Sequence, residues 1–351
     1  MPQLAQMGVS KMKAWVINNF GIDALSLEER PVPSLGEKDV LVKLHATSIN
    51  YRDLMVVEGT YNPKMKLPAV PFSDGAGEVV EVGSGVTKWK PGDRVMPIFA
   101  QHWFDGDPDA EIRKTSLGAG SAWDGTLREF AAFNESGLVA IPSHLSYQEA
   151  ATLGCAGLTA WHSVVESGRV KPGETVVTLG TGGVSVFALQ FAKAAGARVI
   201  ATSSSDEKLE RLRELGADET INYREREDWD KAILELTGGR GADHVIEVGG
   251  SGTLPRSINA TRFGGHIAMI GALTGAASFN PTSVFMKAVR VQGIYVGHRR
   301  MFEEMNRAIE VNGLKPVVDS TFAFDDVRTA LHRMKEGSHF GKIVIDLASH
   351  K

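Results

Sequence analysis

The chain has 351 residues, 43% of them apolar, and a formal net charge of −4 with the two signs interspersed. That apolar content can bury a large core over two domains, and the charge balance excludes a basic surface for nucleic acid or anionic lipid. One cysteine, Cys155, excludes an intrachain disulfide and a zinc site built from several cysteines. No apolar run approaches the ~20 residues that span a bilayer. The opening MPQLAQMGVS lacks a signal-peptide core and reads as a loose tail or an early start ahead of Met12. The expectation is a cytoplasmic protein.

Strand signals dominate the first third. Val40, Val42, Leu44 and Ala46 alternate with more polar neighbours, as in a half-buried strand. Turns punctuate at LPAVPFSDGAG, EVGSGV and KPGDRV, where Pro and Gly fall between short apolar runs. From about Leu145 the pattern changes. YQEAATLGCAGLTAWHSVVESG has helical spacing and ends at Gly168, a C-cap candidate. Strands are then expected at 175–180, 198–202, 243–248 and 265–270, with helices near 183–195, 206–215, 228–237 and 253–261. Alternation of this kind builds a parallel, doubly wound sheet. The charge run REREDWDK (224–231) reads as a solvated helix start. After Arg290 come a strand in VQGIYV, helices ending at Gly313 and in FDDVRTALHRMKEG, and a last strand, KIVIDL.

The stretch TVVTLGTGGVSVFALQFAKAAGARVI (175–200) is strand, glycine turn, helix and strand. In such a turn Gly180 permits a sharp exit from the strand, and Gly182 leaves room for a pyrophosphate. Gly183 adds backbone freedom, Thr181 and Val184 complete the turn, and the helix offers its N-terminal N–H groups. Ser185 stands where a third glycine normally permits close helix–strand packing. At the end of the second strand, ATSSSDEKLERL has no acid until Asp206. Ser203, Ser204, Lys208 and Tyr223 suit a ribose 2′-phosphate better than a carboxylate would, which favours NADPH over NADH. Ser204 and Glu207 also read as a capping box for the next helix.

At this point the chain resembles a known family over nearly all of residues 12–351. GEKDVLVKLHATSINYRDLMVVEGTY, FSDGAGEVVEVGSGVTKWKPGDRV, AATLGCAGLTAWHSV, the glycine turn and HFGKIVIDL are similar to segments of the medium-chain dehydrogenase/reductase superfamily. The resemblance implies an α/β protein. A GroES-like β domain would form from residues 12–135 and 290–351, and a Rossmann domain with a doubly wound parallel sheet from 136–289, with the cofactor in the cleft between them. Zinc-dependent members carry Cys, and Gly-His-Glu, where this chain has Asn50, and Ser73 with Asp74; only Cys155 matches another ligand position. One thiolate with an amide and a hydroxyl is a poor zinc site, and PIFAQHWFDGDPDAEIRKTSLGAG contains no cysteine for a structural zinc lobe. No metal is therefore expected, and Cys155 reads as a small buried residue.

The nearest likeness is to the zinc-lacking branch of quinone oxidoreductases and alcohol-dehydrogenase-like reductases. It implies that Asn50, Tyr51, Asp53 and Tyr61 come near the reacting ring and that Thr159 bonds the nicotinamide side. Gly249, Ile270, Gly271, Val296, Gly297, Arg299, Phe340 and Lys342 would complete the cofactor cleft. Asp53 can instead cap the helix around Leu54–Val57, Tyr61 can simply pack, and Arg52 reads as a structural ion-pair partner of Asp53. Hydride to an ordinary ketone needs a strong electrophile such as zinc. Without it, hydrogen-bond donors must serve, and quinones or conjugated enones are the acceptors that need least help. Asn50 and Tyr51 would donate to the oxyanion, and Tyr51, Tyr61 or water would supply the proton. The alternatives are an alcohol dehydrogenase and a non-catalytic NADPH-binding protein, since fold alone proves no reaction. Aromatic residues around Phe99, Trp103 and Phe285 suggest a bulky apolar substrate group. In relatives, strands matching HIAMIG and VQGIYV lie at the sheet edge, which implies a homodimer or homotetramer.

Overall fold

The computed structural model describes residues 10–120, 123–271, 273–275, 278 and 280–349. Most of the expected tail, residues 1–9, lies outside these; Lys11 already belongs to a strand. β1 (Lys11–Ile17) pairs antiparallel with β2 (Leu25–Pro31). β3 (Asp39–Ile49), β4 (Ala76–Val82), β5 (Arg94–Pro97), β6 (Phe130–Asn134) and β7 (Leu138–Ala140) follow. β8 (Thr175–Leu179), β9 (Arg198–Ser203), β10 (Glu219–Asn222), β11 (Ala242–Glu247), β12 (Thr261–Met269) and β13 (Arg290–Gly293) alternate with helices for most of their length. β14 (Val318–Ala323) and β15 (Lys342–Asp346) end the chain.

The chain divides into two compact units. One takes both ends, up to Cys155 and from Gly297 onward; the other is Ala156–Val296. These divisions differ from the expected 135/136 and 289/290. The first differs because β7 pairs antiparallel with β5 (Met96 opposite Val139), which holds residues 138–140 in the first sheet. The second differs because β13 extends the second sheet beside β12.

In the first unit the strand order is β14-β15-β3-β4-β5-β7, with β6 also on β3. Val40, Val42, Leu44 and Ala46 of β3 are all buried, as their alternation requires. The chain ends meet here: β15 is antiparallel to β3, with Ile343 opposite Ile49. Phe324, Leu331, Ile343 and Ile345 share one core with Trp15, Val42 and Phe133. Each such side chain contributes about 1.5–3 kcal/mol by leaving water. The Trp15 indole also donates to the Phe324 carbonyl at 2.8 Å.

The second unit is a six-stranded parallel sheet in the order β10-β9-β8-β11-β12-β13. All five β8 residues are buried, as in a central parallel strand. The order reverses between β8 and β11, so the turn after β8 stands at the switch point where open α/β sheets bind ligands.

Four local readings are corrected. The segment 147–168 is not one regular helix: π-helical turns at Leu153–Gly157 and His162–Ser167 flank Leu158–Trp161. Gly168 is the C-cap of the last turn as expected, its N–H on the Val165 carbonyl, in a right-handed conformation (φ −68°). The cap of helix Asp206–Glu214 is Ser205, whose hydroxyl accepts from the Lys208 N–H, not Ser204. In the charged run, Trp229 and Asp230 are buried; the Asp230 carboxylate accepts from Arg256 and Asn259. Of the two expected edge strands, β13 is the edge and β12 lies inside it. Among the described residues no helix is long and apolar enough to cross a membrane.

Candidate active site

The glycine turn of the second unit is built by backbone. Gly180 has φ 73°, which a side chain would strain, and no atom lies within 4 Å of where a Cβ on Gly182 would stand. Gly182 is the N-cap of helix Gly183–Ala194 and offers no capping side chain. The first N–H groups of a helix lack intrahelical partners and face outward with the positive end of the dipole. Open space beside donating backbone fits a dinucleotide pyrophosphate. Ser185 explains its own departure from the glycine pattern. It is buried, and its Oγ donates to the Leu179 carbonyl of β8 at 2.7 Å, so the helix keeps close contact with the strand through a hydrogen bond.

The other predicted cofactor residues of this unit fall at or beyond the strand ends. Ser203 ends β9, and its carbonyl accepts from the Tyr223 N–H at 3.0 Å; Ser204 is half-buried beside it. Lys208 lies in the first turn of the following helix, and the Tyr223 ring is exposed. After β11, the Gly249 N–H donates to Glu247 Oε1 at 2.8 Å. Ile270 and Gly271 follow β12, and both their N–H groups reach the Glu247 carbonyl. A Cβ on Gly271 would come within 1.9 Å of the Val248 carbonyl, so only glycine fits. Val296 has φ 41°, an outlier for a β-branched residue, and its carbonyl accepts from His162 at 2.9 Å. Thr159 is buried in the helical turn Leu158–Trp161.

Glu247 was not anticipated. It is fully buried and accepts from Gly249, Gly250, Thr253 and Ser257, so it shapes the loop after β11. The signal was an acid between the apolar strand and the glycines of EVGGSG.

The first unit contributes a polar cluster made of side chains. Asn50 precedes the helix Tyr51–Val57, and its N–H donates to Asp53 Oδ2 at 2.9 Å, so Asp53 does cap this helix. Arg52 donates to Asp53 Oδ1 at 2.9 Å and to the Leu117 carbonyl, with its guanidinium over the rings of Tyr61 (5.1 Å) and Phe99 (5.3 Å). Tyr51 and Tyr61 are both exposed. The Asn50 side chain points elsewhere. Nδ2 donates to Asp74 Oδ2 at 3.0 Å, and Oδ1 accepts from Lys342 Nζ at 2.5 Å. Lys342 also donates to the Ile49 carbonyl at 2.8 Å and stands 3.8 Å from Asp74 Oδ2. Ser48 donates to the same carboxylate oxygen. Burial pushes the Asp74 carboxyl up to about 6, opposed by Lys342 and by the bonds from Asn50 and Ser48.

The residues at the zinc-ligand positions do not fit zinc. Asn50 and Asp74 are bonded to each other, and a lysine ammonium already stands beside them. Burial, reinforced by the Asp74 charge, pushes the Cys155 thiol well above its ordinary range, whereas a ligand must be thiolate. Ser73 Oγ and Asp74 Oδ1 are buried without hydrogen-bond partners. Among the described residues no group of three His, Cys, Asp or Glu could hold a metal.

The remaining expectations for this unit resolve as follows. Arg299 opens the helix Arg299–Asn312, bonds the Ser136 carbonyl at 3.0 Å and lies over the Phe104 ring; Gly297 precedes it by two residues. Phe340 is buried, with its N–H on Asp319. Phe99 and Trp103 are buried packing residues rather than an open wall, and Phe285, in the second unit, is exposed.

Two family models match: the Alcohol dehydrogenase GroES-like domain over residues 36–143, and Zinc-binding dehydrogenase over 183–311. The chain belongs to the medium-chain dehydrogenase/reductase superfamily, with a GroES-like domain and a Rossmann-type parallel sheet. Within it, the chain is 44% identical to a zinc-type alcohol dehydrogenase-like protein of Schizosaccharomyces pombe, over 93% of this chain and 96% of the relative. It is 28% identical to a quinone oxidoreductase of Pongo abelii, over 96% and 98%. A solved NAD-dependent alcohol dehydrogenase is 35% identical and superposes with a TM-score of 0.87, covering 96% of this chain and all (100%) of that one. Membership of this superfamily makes the chain an oxidoreductase.

Proposed function

We propose that this oxidoreductase transfers hydride from NADPH to an activated carbonyl or conjugated acceptor, a quinone or an enone, without a metal. The observation that carries the reading is the cluster at two of the zinc-ligand positions: the Asn50 amide bonds both the Asp74 carboxylate and the ammonium of Lys342, which stands beside them 3.8 Å from Asp74. Such a site offers hydrogen-bond donors but no Lewis acid, which suits acceptors already electron-poor. The nicotinamide supplies the hydride when bound. Gly180, Gly182 and the N-terminal N–H groups of helix Gly183–Ala194 hold its pyrophosphate, and Ser203, Ser204, Lys208 and Tyr223 take the 2′-phosphate. Asn50 and Tyr51 donate to the oxyanion, and Tyr51, Tyr61 or water gives the proton. The exposed edge of β13 pairs with a second copy, giving a homodimer.

The second reading is an alcohol dehydrogenase, favoured by the likeness to the zinc-type alcohol dehydrogenase-like protein of S. pombe and to the solved dehydrogenase. A turnover screen of quinones, enones, aldehydes and alcohols with both cofactors tests the two. NADPH-dependent reduction of quinones or enones is the expected result. Alcohol oxidation faster than either reduction establishes the second reading, and no turnover at all leaves a cofactor-binding protein.

A further inference from the structure

We propose that Lys342 is a positioning residue that does an internal cation's work where relatives hold a metal: its ammonium orients and polarises the Asn50 amide, so that the second Nδ2–H of Asn50 becomes the donor to the acceptor's developing oxyanion. The proposal rests on the reading that Asn50 faces the acceptor.

The amide orientation is fixed by charge. Asn50 Oδ1 faces the Lys342 ammonium and Nδ2 faces the Asp74 carboxylate. A flipped amide would set NH2 against NH3+ and a carbonyl oxygen against a carboxylate, so the neighbours permit one orientation only. The two neighbours are themselves buried: Lys342 is 3% exposed and Asp74 0%. An ammonium is costly to desolvate and is held here by the Ile49 carbonyl as well as Asn50. Ser48 donates to the same Asp74 oxygen that Asn50 uses, a second bond that holds the carboxylate in place.

The consequence is chemical. An amide nitrogen carries two N–H donors, and Asp74 takes one. The other is left in the plane of an amide whose oxygen accepts from a cation. A hydrogen bond to the carbonyl oxygen draws electron density from the nitrogen and strengthens its remaining donor; such cooperativity is about 10–30% per bond. A metal would polarise the acceptor oxygen directly. Here the positive charge acts through one intervening amide, so the effect is smaller and an already activated acceptor is required. Lys342 therefore deepens the functional reading: it gives a physical reason why the substrate class is restricted.

The test is a double-mutant cycle of Lys342→Met and Asn50→Ala, with acceptor kcat and KM, NADPH affinity and the isotope effect with 4-deuterated NADPH. Lys342→Met should lower kcat on the order of 10-fold or more, part of the loss seen on deleting a whole oxyanion donor. KM and NADPH affinity should hold within about threefold, and the isotope effect should rise as hydride transfer limits turnover. Adding Lys342→Met to Asn50→Ala should cost nothing further. Additive losses, or a loss confined to NADPH affinity, overturn the role of Lys342 while leaving Asn50 in place. Full activity of Asn50→Ala overturns the reading of Asn50 and the proposal together. If Lys342→Met does not fold, Lys342→Met with Asp74→Asn removes both charges. That variant should fold and still show the low kcat, and wild-type kcat in it also refutes the proposal.

Discussion

The two polar regions of the molecule are built from different material. The glycine turn of the second unit is backbone: a φ of 73° at Gly180, open space at Gly182, and a helix start without a side-chain cap. The Asn50 cluster of the first unit is mainly side chain: its neutral groups come from the end of β3 and the residue after it, and its two charges from the segment before β4 and from β15. A backbone site tolerates exchange of side chains around it, as Ser185 shows by replacing a glycine with a hydrogen bond to Leu179. A side-chain site loses its function when one partner changes, because a buried charge left alone is penalised far more than a surface one.

The largest expected effect follows from that asymmetry. Lys342→Met leaves Asp74 without its cation and should destabilise the folded chain by about 3–5 kcal/mol. Adding Asp74→Asn should recover most of it in urea melts, and no recovery would mean that Lys342 matters for packing rather than charge. Within the backbone site, one substitution at two glycines should separate space from binding. Gly271→Ala meets the Val248 carbonyl at 1.9 Å and should cost about 3 kcal/mol of stability. Gly182→Ala enters open space, should melt within about 0.5 kcal/mol of the parent, and should weaken dinucleotide binding by clashing with the ligand. A parent-like melt for Gly271→Ala would contradict the close approach described for it.

Smaller effects sharpen the cofactor side. Lys208→Ala should weaken NADPH by roughly tenfold or more, the worth of a charge-assisted bond of about 1.5–3 kcal/mol, and leave NADH nearly unchanged. Equal weakening of both by calorimetry would remove Lys208 from the phosphate. The smallest effect is in pH. The Asp74 carboxyl is raised from 3.8 to about 6 in the fold, so the folded chain keeps a proton there that the unfolded chain releases. Its contribution is full below about pH 4 and is lost as the pH rises through 6. Glu135, held down to about 2 chiefly by the Thr87 N–H, works in the opposite direction at lower pH. Asp74→Asn should therefore flatten the decline between pH 4 and 6, and an unchanged slope would refute the shift.

How far the sequence carries differs between the same two regions. The βα alternation and the glycine turn were legible because each is a local pattern: an apolar run, a turn residue, a helical period. Ser205 as cap was missed by one position, because neighbouring serines offer equivalent local choices. Asn50 and Asp74 were recognised as departures from a zinc pattern, yet their bond was not, and Lys342 was assigned to the cofactor. Those contacts join residues brought together by β4 pairing with β3 and by β15 returning beside β3, which no local spacing encodes.

The central claim is most directly tested by acceptor turnover before and after exhaustive chelation, with the metal content of the same sample measured. The account predicts no stoichiometric zinc, unchanged NADPH-dependent reduction of a quinone or enone, and a rate above that with a primary alcohol under matched cofactor conditions. One zinc per chain whose removal abolishes turnover would contradict it.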